Sequence, residues 1–495
     1  MPKYQYDIII IGGGSAGLSL ASGASQLGVK VLLIAKEELG GDCLHFGCVP
    51  SKALLKSAKI AHHVKNSQEF GIRSASPKAN WPAVTNRIKN VQSVIQHHDN
   101  PGRFREYGCD VIFGAASFVD DHTVAIKLTE ELETLQQPEF LMADHPLTFS
   151  GKKIVIATGS RPNIVPIKGL EHVPYITNEI LFTLQKQPED LLIIGAGVIG
   201  IEIGQAMQRL GTNVTIALRE HHILKTEDKD VAEVIEQSLI DDGVELLRDI
   251  EFTEVKKSSN GVTLIYKQDG KEKEQNFSAV LVATGRKANT ELNLEAAGVT
   301  YNRAITNNAK MRTNKKHILA IGDVNGRAQF THAANYEAGI VLSNEVLHVP
   351  AKANYNNIGW TLFTDPELAS IGINEKQATA NSIKHTVIKS TFETQDRALA
   401  EGDTSGFIKI ITGKKGKVLG CQIISPRAGE MIREWQLAIA QNIPISKIAR
   451  STFIYPTFGE ISKWAPGSHL AKSLFSNKVR KLLRLVFRYR GKVEQ

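Results

Sequence analysis

Two glycine turns, Gly12-Gly13-Gly14-Ser15-Ala16-Gly17 and Gly195-Ala196-Gly197-Val198-Ile199-Gly200, constrain the fold of this chain more than any other feature. Each follows a short apolar run, residues 7–11 in the first case and 191–194 in the second. Each precedes a helix-like stretch, residues 18–27 and 198–210. Strand, G-x-G-x-x-G, helix is the setting in which glycines tighten the turn and let a pyrophosphate reach the N–H groups of a helix N-terminus. One such motif is a weak signal. Two in the correct context predict an α/β protein with two Rossmann-like dinucleotide-binding domains.

The strands that complete the two units end unusually. Residues 29–35 end at Ala35, where a carboxylate commonly meets ribose hydroxyls, and Glu37 is the nearest substitute. Residues 214–218 are followed by Arg219, with Lys225 six residues on. A guanidinium there suits a 2′-phosphate through paired, charge-assisted hydrogen bonds, which favours NADPH over NADH. A merely solvated Arg219 and an indifferent enzyme are the alternative. Further strands end in glycine turns at Ala157-Thr158-Gly159, Ala283-Thr284-Gly285-Arg286 and Gly322-Asp323. Beyond about residue 350 the texture changes. Strand-like runs at 358–363, 407–412 and 418–425, with a helix over 427–441, predict an α+β domain.

Between the first unit and a helix expected over 53–64 lies Gly40-Gly41-Asp42-Cys43-Leu44-His45-Phe46-Gly47-Cys48-Val49-Pro50-Ser51-Lys52. Two cysteines near a helix start form a candidate redox pair, because a helix N-terminus favours the thiolate. A structural disulfide or two buried thiols is the plain alternative. The chain has only four cysteines, the others being Cys109 and Cys421. That is too few for a secreted disulfide framework, and no CxxC pair suggests zinc. The N-terminus reads as a strand and not a signal peptide, and no apolar run reaches the ~18 residues of a membrane span. A reducing cytoplasm is the expected location, where a close cysteine pair is more often catalytic.

At 495 residues the chain predicts about three domains. Its net charge of +8 is concentrated in residues 468–495, which carry eight Lys or Arg against the single acid Glu494. The rest of the chain is therefore near neutral, which argues against a nucleic-acid-binding fold.

Taken together, these motifs resemble the flavoprotein pyridine nucleotide-disulfide oxidoreductases, the family of dihydrolipoamide dehydrogenase, glutathione reductase and mercuric reductase, over about residues 5–466. The cysteine segment is nearest the mercuric-reductase-like branch, and Phe363-Thr364-Asp365-Pro366-Glu367 matches the start of a C-terminal domain. The resemblance implies an FAD-binding domain (1–165 and 283–348), an NAD(P)-binding domain (166–282) and a C-terminal α+β dimerisation domain (349–466). Gly12, Gly14, Gly17, Gly41, Thr158, Gly159, Gly322 and Asp323 are then expected at FAD, and Gly195, Gly197, Gly200, Arg219 and Gly285 at NAD(P). It further implies Cys48 as the charge-transfer thiol beside flavin, Cys43 as the interchange thiol, and Lys52 paired with Glu202. A buried lysine needs a counter-charge, and its field stabilises an anionic reduced flavin.

The same resemblance implies a homodimer in which the C-terminal domain completes the partner's site. There many relatives carry a histidine followed five residues later by glutamate; here the positions hold Tyr455 and Glu460. A phenol titrates near ~10 and histidine near ~6.5, so efficient dithiol oxidation, as in dihydrolipoamide dehydrogenase, is disfavoured. Mercuric reductases add a C-terminal cysteine pair, and no cysteine follows Cys421. The expected activity is thus NAD(P)H-dependent reduction of a disulfide or related small-molecule acceptor, with no metal and no nucleic acid. The alternatives are dihydrolipoamide dehydrogenase and, from another class, a redox-responsive membrane-associated protein.

Residues 467–495 lie beyond the resemblance. Leu474, Phe475, Val479, Leu482, Leu483, Val486 and Phe487 recur at helical spacing with Lys478, Lys481, Arg484 and Arg488 largely off that face. A basic amphipathic helix suits an anionic membrane surface or a docking site on its own dimer.

Overall fold

The computed structural model describes residues 3–128 and 147–491, so Lys492 and Glu494 lie outside the described residues. Contacts divide the chain into two units, Met1–His221 with Asp242–Tyr355, and His222–Asp241 with Asn356–Gln495. The architecture is mixed α/β, as the two turns predict.

In the first unit a parallel sheet runs in the order Cys109–Phe118, Val31–Ala35, Tyr6–Ile11, Leu147–Ile156 and Ile318–Ala320. Ile10 sits opposite Leu33 on one side and Val155 on the other. Residues 8–11, 31–35, 154–156 and 318–320 are apolar without interruption because both faces of the sheet are buried there. A second parallel sheet runs in the order Glu245–Leu247, Asn213–Ala217, Asp190–Ile194, Ala279–Val282 and Tyr175–Ile176. Each sheet hands its fingerprint turn to a helix, Ser15–Gln26 in the first and Val198–Arg209 in the second.

An antiparallel meander, Glu251–Ser258, Gly261–Gln268 and Lys271–Phe277, also belongs to this unit. Sequence reading does not anticipate it. Only one face is apolar, and Val255, Val262, Leu264, Tyr266 and Phe277 bury that face against Leu192, Ile194 and Val280.

The second unit holds an antiparallel sheet in the order Trp360–Leu362, Glu367–Gly372, Val418–Ser425, Phe407–Thr412 and Thr386–Thr391. Helix Ala428–Ala440 packs on it through Ile432 and Trp435, whose indole donates to Ser462 Oγ at 3.0 Å. Lys409, buried in this sheet, is met by Asp228 and Asp230 at 3.0 Å and by Glu375 at 2.6 Å. Helix Ile461–Leu474 continues past residue 466, and the chain breaks at Phe475 and the extended Ser476 before helix Asn477–Phe487. The single helical face expected from Leu474 to Phe487 is corrected accordingly. Leu474 and Phe475 belong to the earlier helix and its end, because extended backbone at Ser476 interrupts the helical register.

The third glycine of each fingerprint is required by space. A Cβ on Gly17 would stand 1.9 Å from the Gly12 carbonyl oxygen, and one on Gly200 would stand 2.2 Å from that of Gly195. Neither backbone oxygen can retreat without breaking the strand-to-helix turn. Gly17→Ala is therefore expected to destabilise the first unit by about 2 kcal/mol or more. Thermal unfolding of the purified variant, with its flavin content measured alongside, checks this.

Candidate active site

Cys43 lies in the short helix Gly41–His45, and Cys48 is the first residue of helix Cys48–Lys65. That helix begins earlier than the expected 53 because Pro50 falls in its first turn, where no N–H is needed. Gly40 and Gly41 turn the chain at φ 110° and 59°, the left-handed region that glycine tolerates. Gly40 donates its N–H to the Gly13 carbonyl at 2.9 Å, which lays the cysteine segment on the first fingerprint.

Cys43 and Cys48 carry free thiols placed to hydrogen-bond to each other. Cys48 is pulled down to about 6, first by the hydrogen bond from Cys43, against partial desolvation, and further by Thr331 and the positive charge of Lys52. Its Sγ lies 3.5 Å from Thr331 Oγ1. Cys43 is pushed up by that same hydrogen bond and then by burial. The pair thus holds one negative charge on Cys48 and one proton on Cys43.

Lys52 stands one turn after Cys48, and its Nζ donates to Glu202 Oε2 at 2.8 Å. Glu202 comes from helix Val198–Arg209 and is nearly buried, so the lysine supplies its counter-charge. Sequence reading paired these two residues, and the structure brings them together.

Other contacts were not legible in the sequence. Asp42 Oδ1 accepts from Asn178 Nδ2 at 3.3 Å and lies 3.0 Å from Arg286 Nη2. Asn178 also donates to the Phe46 carbonyl at 3.0 Å. Arg286 donates through Nε to Ser160 Oγ at 2.7 Å, and Ser160 Oγ donates to Asp323 Oδ2 at 2.6 Å. Burial raises the Asp323 carboxyl above its ordinary range, while Ser160 and Arg286 oppose that shift. Arg286 closes the Ala283-Thr284-Gly285-Arg286 turn noted in the sequence, which was its only signal. Thr158 donates its hydroxyl to the Asn289 carbonyl at 2.7 Å, and Gly159, Gly285 and Gly322 all take positive φ.

The residues fit two bound dinucleotides. The N-caps Gly14 and Gly197 make no side-chain cap hydrogen bond, and neither helix carries an acid in its first turn. The terminal N–H groups and the positive ends of both helices are therefore open to a phosphate. A Cβ on Gly197 would meet open space, and one on Gly14 would meet only Gly41 Cα at 3.8 Å. Ala35 is buried, and Glu37 and Glu38 just beyond it are exposed. Arg219 holds its guanidinium 5.7 Å from the centre of the Phe252 ring.

Tyr455 and Glu460 lie in the second unit. Tyr455 is 65% exposed and donates its hydroxyl to Asp396 Oδ2 at 2.9 Å. That hydrogen bond and the carboxylate's charge raise the phenol above its ordinary value. Glu460 is buried, and its Oε2 accepts from the Thr457 N–H at 3.3 Å in a capping box.

The chain matches the family model described as pyridine nucleotide-disulphide oxidoreductase over residues 6–338, and the dimerisation domain of that family over residues 358–466. It is 31% identical over 482 residues to mercuric reductase of Staphylococcus aureus, spanning 97% of this chain and 84% of that one. It is 34% identical over 467 residues to dihydrolipoyl dehydrogenase of Geobacillus stearothermophilus, spanning 92% and 95%. Among solved structures it is similar to a Cu(II) complex of the HOCl-induced flavoprotein disulfide reductase RclA from Escherichia coli. The TM-score there is 0.80 at 26% identity, over 94% of this chain and 100% of that one.

The Cys43 hydrogen bond is the largest cause of the Cys48 shift, so Cys43→Ala is expected to move the Cys48 midpoint upward from about 6. The pH dependence of iodoacetamide alkylation of the reduced, FAD-loaded protein, read at Cys48 by mass spectrometry, measures it. An unchanged midpoint would show that the thiols do not share the proton.

Proposed function

The chain belongs to the pyridine nucleotide-disulphide oxidoreductase family, and on that footing we propose that it reduces a disulfide, or a related acceptor, through Cys43 and Cys48. The family consists of flavoenzymes that use FAD and NAD(P)H, and the dimerisation domain supports a homodimer. The observation that carries the reading is the thiol pair, Cys43 in helix Gly41–His45 and Cys48 at the start of helix Cys48–Lys65, with Lys52 one turn on favouring the Cys48 thiolate. The proposed division is an FAD domain of 1–165 with 283–348, an NAD(P) domain of 166–282 and a dimerisation domain of 349–466.

FAD, held at the first fingerprint by Gly12, Gly14 and Gly17, would supply two-electron reduction of the cysteine disulfide at the expense of NAD(P)H held at the second. Breaking that S–S bond with two electrons and one proton leaves Cys43 as thiol and Cys48 as thiolate. Cys43 then passes its proton to Cys48 and attacks the acceptor disulfide, forming a mixed disulfide and expelling one acceptor thiolate. That thiolate takes the proton back from Cys48. Cys48 attacks the Cys43 sulfur, re-forms the pair and releases the second acceptor thiolate, which water protonates. Lys52 favours negative charge beside the thiols, and Glu202 holds the ammonium in place.

Tyr455 supports reduction over dithiol oxidation. It occupies the position the resemblance gives to a histidine base, and Asp396 moves its pKa further from neutrality. Dihydrolipoamide dehydrogenase is therefore the weaker alternative. A metal-ion acceptor is the second reading, favoured by the mercuric reductase relatives and by the Cu(II) complex of the solved neighbour. Against it, the remaining cysteines, Cys109 and Cys421, are both buried and offer no second accessible thiol pair. Arg219 supports NADPH as donor. A redox-responsive switch is a further alternative, and slow flavin reduction in stopped flow would favour it.

Cys43→Ser is expected to keep its flavin and to lose turnover with disulfides in a screen of disulfides, quinones and metal ions, run with NADPH and with NADH. Full turnover by that variant would overturn the mechanism. Tyr455→His is expected to raise the rate of dihydrolipoamide oxidation by about tenfold or more at neutral pH. An unchanged rate would show that the tyrosine is not at the acid–base position.

A further inference from the structure

We infer that helix Asn477–Phe487 docks the protein on the surface of an anionic lipid bilayer. This inference is independent of the acceptor. The dimerisation-domain match ends at residue 466, and the chain goes on through helix Ile461–Leu474 to this second helix, which stops where Arg488 turns left-handed at φ 56°.

Two observations identify what the helix meets. The first is an apolar face without cover. Val479, Leu482, Leu483 and Val486 stand at i, i+3, i+4 and i+7, with Phe487 beside them. No residue of the helix is buried, and Leu482, Val486 and Phe487 are 57%, 58% and 60% exposed. In the same unit, helix Ala428–Ala440 buries its own apolar face in the core. Tyr489, stacked on Phe487 with ring centres 5.7 Å apart, adds an aromatic group of the kind that settles at a lipid–water boundary.

The second observation is charge. From Ile461 to Gly491 the chain carries eight Lys or Arg and no Asp or Glu. On the helix, Lys481 and Arg484 lie opposite the apolar face, while Lys478 and Arg480 border it. An apolar protein groove could cover the stripe, but it would gain nothing from the cationic side chains around it, a side on which only Asn477 and the exposed Leu485 are uncharged. An anionic bilayer engages both, with the apolar side chains at the acyl boundary and the ammonium and guanidinium groups among lipid phosphates. An eleven-residue helix is marginal in water alone, and seating its apolar face also favours its formation. Among the described residues no helix is long and apolar enough to cross a membrane, so the contact is peripheral.

The test floats the full-length, FAD-loaded protein with vesicles of phosphatidylglycerol and phosphatidylcholine in equal parts, and with pure phosphatidylcholine vesicles. Flotation is expected with the anionic vesicles alone, falling as salt is raised. Leu483→Glu with Val486→Glu is expected to lower flotation by about tenfold or more, with flavin content and dimer mass unchanged. Lys481→Gln with Arg484→Gln keeps the apolar face and is expected to lower it by about tenfold. Equal flotation of wild type and both variants, or of wild type on both vesicle types, would overturn the proposal. Dissociation of the dimer in the glutamate variant would overturn it too, by placing this face in the subunit interface.

Discussion

The arrangement of the first unit depends on one backbone contact, the approach of Gly41 to Gly14. A Cβ on Gly41 would stand 2.7 Å from Gly14 Cα, so Gly41 has no room for a side chain. This contact brings the segment before Cys43 against the turn that opens helix Ser15–Gln26, and Gly40 adds its hydrogen bond to Gly13. The thiol pair and the first phosphate cradle are therefore one local structure. Any residue that loosens the contact separates the redox chemistry from the place where a dinucleotide binds.

Electrostatics around the pair work in the same direction. The hydrogen bond between the thiols lets them carry one negative charge in place of two, which two adjacent sulfur atoms could hold only at high cost. Lys52 sets its ammonium one helical turn away, and Glu202 anchors it from a helix that begins at the second fingerprint. On the other side Asp42 opposes the thiolate and is itself paired with Arg286 at 3.0 Å. Arg286 also reaches Ser160 and, through it, Asp323. Residues far apart in the chain thereby form one frame of ion pairs and hydrogen bonds around the cysteines.

What could be read from the sequence follows from where the physical cost falls. The fingerprints were legible because a tight turn onto a helix leaves its demand in consecutive residues, as Gly12, Gly14 and Gly17 show. Lys52 and Glu202 were reached only through the family resemblance, since each alone reads as a surface charge. Asn178 was out of reach because 136 residues separate it from Asp42, and no local pattern records such a contact. The meander after Glu251 was hidden by its charged outer face, as in Lys271-Glu272-Lys273-Glu274. Its hairpin turns at Asn260-Gly261 and Asp269-Gly270 were nevertheless the strongest local signal available for it. The tail helix is legible in its apolar spacing, and its start is marked only by Ser476, a residue type that favours the extended N-cap position.

Under the function proposed above, the pair and the tyrosine together favour one direction of chemistry. A dithiol substrate must lose protons as it is oxidised, which calls for a base that is free near neutral pH. Tyr455 fails that requirement, since its hydroxyl donates to Asp396 and its pKa lies above that of an ordinary phenol. A disulfide acceptor instead gains protons at the thiolates it releases, and the first proton comes from the cysteine pair itself. Reduction of the acceptor thus draws one proton from the cysteine pair and one from water. The same substitution that removes a base for one direction leaves the other with the groups it requires.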